Sequence, residues 1–239
     1  MRNLKVSVLS HRRSGTHLTI DSLINNFKIF DDYVSVEDLP KKNRKSVEKI
    51  ESESVILKSH SEYNLNSYLQ NEHLANLVRN SNIIYVFRDG RDVMASLYDY
   101  KNSHDKSMKG KSFSTFIREK NDYKCGVEYS GLSRVEYWCK HVSRWLASKE
   151  ILFIKYQEWI NNYMGTIEKI ENYLDIRSLE ETKDIRVQGR LKGLFKKYFG
   201  SNKMSSVHIN KGKTGRYKNY FSESDLKYFE KKSSKYFNN

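Results

Sequence analysis

The sequence predicts an α/β fold: a mostly parallel β-sheet flanked by helices on both faces, in a single domain covering residues 1–239. Three observations carry that prediction. Four short apolar runs, rich in Val, Ile, Leu and aromatic residues, have the length and composition of buried strands. Helical patterns lie between or after them, and strands alternating with helices require crossovers, hence parallel pairing covered on both sides. The chain has 239 residues, with 38% apolar and 30% charged content, enough to bury one substantial core without covalent staples.

Taken in order, the first strand is Lys5–Leu9, and a helix over Thr16–Asn26 follows a short basic turn. The second strand is Val55–Lys58, reached through a polar stretch, Asp31–Glu53, that carries Lys41, Lys42, Arg44 and Lys45 and reads as an exposed connection or short helix. A helical repeat of Leu69, His73, Leu74, Leu77 and Val78 spans about 67–80 and leads to the third strand, Ile83–Phe87. The segment Tyr100–Tyr129 is polar and basic apart from Phe113, Phe116 and Ile117, and reads as an excursion over a site. Amphipathic patterns over Ser133–Ser148 and Trp159–Leu174 bracket the fourth strand, Ile151–Lys155. Ser222-Glu223-Ser224-Asp225 has the spacing of a capping box and opens a last helix ending near Tyr236.

Composition narrows the function. The 43 basic and 29 acidic residues give a net charge of +14, which favours anionic partners: nucleotides, sulfated or phosphorylated glycans, nucleic acid or acidic membranes. Cys125 and Cys139 are the only cysteines and sit in no CxxC or Cys/His cluster, so a structural metal or disulfide framework is not expected and a reducing compartment fits. The start, Met-Arg-Asn-Leu, does not resemble a signal peptide, and no apolar run nears the roughly 18 residues that cross a bilayer. The expected location is cytoplasmic.

Three segments carry chemistry. In the first, the apolar strand runs into Ser10-His11-Arg12-Arg13-Ser14-Gly15-Thr16-His17-Leu18 and directly into a helix. A helix start offers unpaired N–H groups and the positive end of the dipole, so this turn is a seat for phosphate or sulfate. It lacks the first glycine and the Lys-Ser pair of the nucleoside triphosphate loop, so the kinase-like reading fails at its most diagnostic positions. The second segment, Phe87-Arg88-Asp89-Gly90-Arg91-Asp92 with Ser96 two helical turns on, repeats the strand–basic turn–helix design and suits a second phosphate in the crevice beyond the strand ends. Pairing of Arg88 or Arg91 with Asp89 or Asp92 is the structural alternative. The third, Asn210-Lys211-Gly212-Lys213-Thr214-Gly215-Arg216-Tyr217-Lys218-Asn219-Tyr220-Phe221-Ser222, is a glycine-spaced basic loop ahead of a helix, able to fold amides over an anion.

In this order the three segments resemble the cofactor signatures of the sulfotransferases that use 3′-phosphoadenosine 5′-phosphosulfate (PAPS). Arg13-Ser14-Gly15-Thr16 resembles the 5′-phosphosulfate loop, Arg88 and Ser96 the 3′-phosphate pair, and Lys211-Gly212 through Phe221 the late K-G-x-x-G-x-[WY]-K-N-x-F segment. Trp138, His141-Val142, Trp145 and Tyr156 add smaller matches. The resemblance implies a P-loop-like sulfotransferase fold. It further implies transfer of a sulfuryl group to a hydroxyl, or less readily an amine, of a small molecule or glycan, with 3′,5′-adenosine bisphosphate (PAP) as product and no metal. Lys58-Ser59-His60, at the end of the second strand, stands where the family carries its catalytic Lys and His. The implied roles are proton removal by His60, charge compensation by Lys58, and a grip on the 5′-phosphate by Arg13 and the N–H groups of Ser14, Gly15 and Thr16. Arg12, His17, Tyr156 and Asn210 complete the cofactor set.

Two departures stand out: Arg13 replaces the usual Lys, and Leu18 the usual Trp against adenine. Asn210 replaces an Arg, and no match to the family's short dimerisation motif occurs near the C-terminus. Arginine clamps a phosphate but donates a proton poorly. The competing class is a basic nucleic-acid-binding protein, but the basic residues are spread along the chain without a reader motif.

Overall fold

The computed structural model describes residues 3–41, 50, 52–186 and 213–237. Five strands form one sheet: β1 (Lys5–Ser10), β2 (Tyr33–Ser35), β3 (Val55–Ser59), β4 (Asn82–Phe87) and β5 (Leu152–Lys155), in the order β2-β3-β1-β4-β5. Every pairing is parallel. The registers Leu9↔Ser59, Ser10↔Val86 and Phe87↔Lys155 bring the carboxyl ends of the four longer strands to one edge. That edge is where open α/β sheets receive ligands.

Alternate residues of the strands feed two cores. Val6, Val8, Ile84, Val86 and Ile154 pack under α1 (Thr16–Asn26) and a helix over Tyr163–Leu174. Leu9, Leu57 and Tyr85 face Leu74, Val78 and Trp145 on the other side. A third cluster joins α4 (Gly90–His104), α5 (Phe113–Arg118), α6 (Arg134–Leu146) and α9 (Glu223–Phe237) through Met94, Phe116, Trp138 and Phe229.

The predicted strands hold to within a residue, and α1 spans Thr16–Asn26 as expected. Two expected helices are each divided. The pattern over 67–80 becomes α2 (Leu65–Leu69) and α3 (Glu72–Arg79), because Gln70 turns left-handed (φ 53°) and Asn71 caps a new start by accepting from Leu74 N at 3.1 Å. Likewise α7 (Tyr156–Asn161) and α8 (Tyr163–Leu174) meet at Asn162, whose side chain accepts from Gly165 N. The polar stretch after α1 contains edge strand β2 and a 3₁₀ turn, Val36–Lys41. The capping box expected before α9 is present in its hydrogen bonds: Ser222 Oγ accepts from Asp225 N, and Asp225 Oδ2 accepts from Ser222 N.

Candidate active site

At the carboxyl edge of the sheet lies a cavity of about 330 Å³. Ten of the residues singled out in the sequence line it: Arg12, Arg13, Gly15, Thr16, His17, Lys58, His60, Arg88, Ser96 and Tyr156. Ser14 does not. It is fully buried, with a hydroxyl that has no partner among the described residues. Asn210, Lys211 and Gly212 lie outside the described residues.

The turn between β1 and α1 is built for close approach. Gly15 sits at φ 109°, and a Cβ there would stand 2.7 Å from Cδ2 of Tyr156. No side chain caps α1 and no acidic residue occupies its first turn, so the positive helix end is left for an anion. Gly15→Ala combines left-handed strain with a ring clash. Its expected cost is about 1–3 kcal/mol, several degrees of Tm, with weakened nucleotide binding; thermal melts with and without PAP check it.

Arg13, itself left-handed at φ 66°, reaches across from this turn to α4. Its Nε donates to Ser96 Oγ at 3.2 Å, and its guanidinium lies 5.0 Å from the Tyr100 ring centroid. The first and second basic segments are thus joined directly. Arg88 is buried, stacked 4.4 Å over Tyr156, and donates from Nη2 to the carbonyl of Lys213 at 2.9 Å. Its Nε is buried without a partner among the described residues. Asp92 holds the third segment in place by accepting from Gly215 N at 2.8 Å and Tyr217 N at 3.1 Å, while standing 3.6 Å from Arg88. Both pairings weighed in the sequence occur, Arg88 with Asp92 at 3.6 Å and Arg91 with Asp89 at 2.6 Å.

His60 follows β3 and is fixed on three sides. Its Nδ1 donates to the Ser10 carbonyl at 2.9 Å, which leaves Nε2 as the nitrogen with the lone pair. Its backbone N–H donates to Glu37 Oε1 at 2.8 Å, and its carbonyl accepts from His141 Nε2 at 3.3 Å. Glu37 is in turn held by the hydroxyls of Ser59, at 2.8 Å, and Ser35, at 3.2 Å. Burial, and then the charges of Arg12 and Lys58, push the His60 imidazole well below its usual range, against the pull of the Ser10 carbonyl. It is neutral at pH 7.

Leu18, the position where the family carries Trp, lines the cavity as well, and three further lining residues carry no mark in the sequence: Asp21, Leu97 and Tyr100. Helical spacing was the available signal, since Asp21 follows His17 by four residues and Tyr100 follows Ser96 by four. Burial raises the Asp21 carboxyl to about 6. Glu37 and Asp92 organise the site from outside the lining; no local pattern marks Glu37, and the sequence marks Asp92 only as a pairing partner for Arg88 or Arg91.

A family model described as the sulfotransferase domain matches residues 4–237. The chain belongs to the sulfotransferase domain family. Among curated relatives of this sulfotransferase-domain chain are two rat proteins, sulfotransferase 2A6 and sulfotransferase 2A1, 25% and 26% identical over 167 residues. Each alignment covers 62% of this chain and 54% of the relative, so the matched region spans about half the length of those proteins. Among solved structures, mouse sulfotransferase SULT7A1 complexed with PAP aligns with TM-score 0.72 at 18% identity, over all of this chain and 86% of that one. A retinol dehydratase in complex with androsterone and inactive cofactor PAP aligns with TM-score 0.64 at 20% identity, over 98% of this chain and 81% of that one. These two likenesses establish the fold. No helix among the described residues is long and apolar enough to cross a membrane.

Proposed function

We propose that the chain is a PAPS-dependent sulfotransferase acting on a hydroxyl of a small acceptor. The observation that carries this reading is the convergence of Gly15, Arg13, Lys58 and His60 with Arg88 and Ser96 on one cavity. The cavity chemistry fits the donor. The helix-start amides and Lys58 offer one anion seat, Arg88 offers another with an Nε that has no partner among the described residues, and Arg13, bonded to Ser96, stands between them. Asn210, Lys211 and Gly212 belong to the same proposed 3′-phosphate grip. The bound donor supplies the sulfuryl group and a phosphate leaving group.

The chain's own residues then position and compensate charge. Arg13 and the amides of Ser14, Gly15 and Thr16 hold the 5′ end, with Arg12 and His17 on the adjoining wall. Lys58 offsets negative charge on the moving group, and Tyr156 packs beside Arg88. His60 Nε2 takes the acceptor's proton as the acceptor oxygen bonds sulfur and the sulfur–oxygen bond to phosphate breaks, the phosphate leaving with the electron pair. Both cysteines, Cys125 and Cys139, are free thiols, which suits the proposed cytoplasmic location.

The test is twofold. PAP should raise the Tm of the full chain, and radiolabelled PAPS should pass label to at least one hydroxylated acceptor. Stabilisation by duplex DNA with steep salt dependence, and none by PAP, would overturn the reading.

Glu37 is the positioning residue of this scheme, because it anchors the peptide that carries His60. Glu37→Gln keeps an acceptor oxygen but loses the charge that strengthens three hydrogen bonds. It is expected to lower kcat about tenfold with acceptor KM and PAP affinity nearly unchanged, and steady-state kinetics on both substrates check that split.

A further inference from the structure

Among the described residues four carboxyl side chains are buried: Asp21, Glu62, Asp92 and Asp225. Three of them are satisfied inside the fold. Glu62 accepts from Gly126 N at 2.9 Å, Asp92 from Gly215 N and Tyr217 N, and Asp225 from Ser222 Oγ at 2.7 Å and Ser114 Oγ at 2.5 Å. Asp21 is the exception. It is 8% exposed, and its carboxylate accepts no hydrogen bond and forms no ion pair among the described residues. The one side-chain bond at residue 21, from Asn25 Nδ2 at 2.7 Å, goes to the main-chain carbonyl. Burial alone raises this carboxyl to about 6, with no donor or cation drawing it back. A buried carboxylate without donors is costly, and it calls for a partner that arrives from outside. Asp21 is also the only acid among the described residues that line the active-site cavity, where Arg12, Arg13, Lys58 and Arg88 supply the charge.

We propose that Asp21 reads the base of the bound nucleotide, its carboxylate accepting from the 6-amino group of adenine. The assignment rests on the sulfuryl-transfer reading above. It follows from what the rest of the cavity leaves over. The start of α1 with Lys58 takes the 5′ end, Arg88 and Ser96 take the 3′-phosphate, and His60 takes the acceptor. The wall that remains for the base includes Leu18 and Asp21, three residues apart on one face of α1 and both on the cavity. Leu18 offers apolar surface to a flat ring, and Asp21 offers an acceptor to its edge. Asp21 lies five residues past Thr16, about 7.5 Å along the helix from its start. A nucleoside sets a comparable reach between its 5′-phosphate and the amino group of its base. The chemistry is selective, because the 6-amino group is the one donor on adenine's edge and the ring nitrogens are acceptors. A carboxylate pairs with the first and repels the second. An amine on the acceptor would bring the same N–H donors. The nucleotide is favoured because its phosphate seat opens the helix on whose next turn Asp21 stands.

Isothermal titration of the full chain, with no acceptor present, compares PAP with purine riboside 3′,5′-bisphosphate, which carries hydrogen in place of the 6-amino group. Wild type should bind PAP about tenfold more tightly or better, since the analogue leaves the buried carboxylate unpaired. Asp21→Ala should bring the two nucleotides within about threefold of each other, and Asp21→Asn, which keeps an acceptor oxygen, should retain most of the preference. The nucleotide-free Asp21→Ala chain should melt no lower than wild type, because the carboxylate it loses bonds nothing in the fold. A merely structural acid would lower that Tm and weaken both nucleotides alike. Equal binding of the two nucleotides by wild type, or a preference unchanged in Asp21→Ala, overturns the assignment. So does an Asp21→Ala defect confined to the KM of amine acceptors, which gives the carboxylate to the acceptor instead. If neither nucleotide binds wild type, the sulfotransferase reading itself falls and this assignment with it.

Discussion

His60→Ala is expected to reduce turnover about 10²–10⁴-fold while leaving PAP affinity within twofold of wild type. The two halves of that outcome come from different parts of the structure. The ring donates only to the Ser10 carbonyl, through Nδ1, so its removal frees no group that holds the nucleotide walls. The backbone contacts of residue 60, to Glu37 and His141, survive the substitution. What disappears is a neutral imidazole with its Nε2 lone pair at the cavity. Its pH profile is the second readout. Burial and the charges of Arg12 and Lys58 favour the neutral ring, so the wild-type rate should hold steady across neutrality. It should fall only as acidification drives a proton onto the ring below its usual range. The variant's residual rate should lack that acid limb. Isothermal titration with PAP and single-turnover transfer from labelled PAPS measure both halves, and full activity in His60→Ala ends the base assignment.

Much of this geometry was legible because it is local. Apolar runs of four to six residues mark strands buried on both faces, and those runs place Ser10, His60, Arg88 and Tyr156 just past the strand ends. Two basic turns at such ends can only meet at one edge of a parallel sheet, and Arg13 bonding Ser96 is that meeting. What escaped has a physical cause in each case. Strand β2 is three half-buried residues long, too short to show alternation. The break at Gln70 depends on a left-handed backbone that glutamine does not announce, and the apolar repeat continues across it. Glu37, Asp92 and Glu62 act on groups far away in sequence, so their identity as carboxylates in polar stretches gives no signal until the chain is folded.

Arg88→Ala carries the other large effect, on binding instead of turnover. The residue is 7% exposed, stacked on Tyr156, and spends Nη2 on the Lys213 carbonyl and Asp92, leaving Nε without a partner among the described residues. A phosphate bonded there is desolvated and charge-assisted, worth about 1.5–3 kcal/mol, which is roughly a 10–150-fold loss of PAP affinity. The loss must be separated from disturbance of the segment that Lys213 anchors. Asp92 still accepts from Gly215 and Tyr217 in the variant, so the segment keeps its main tie to α4. Adenosine 5′-phosphate, which has no 3′-phosphate, makes the separation: it should bind wild type weakly and bind Arg88→Ala no more weakly. Arg88→Lys should fall between, since an ammonium keeps the charge and loses the planar fork. If both nucleotides weaken equally in Arg88→Ala, the residue supports the fold of the cavity and does not read the 3′-phosphate. The coupling of one side chain to one phosphate is therefore what identifies that end of the site.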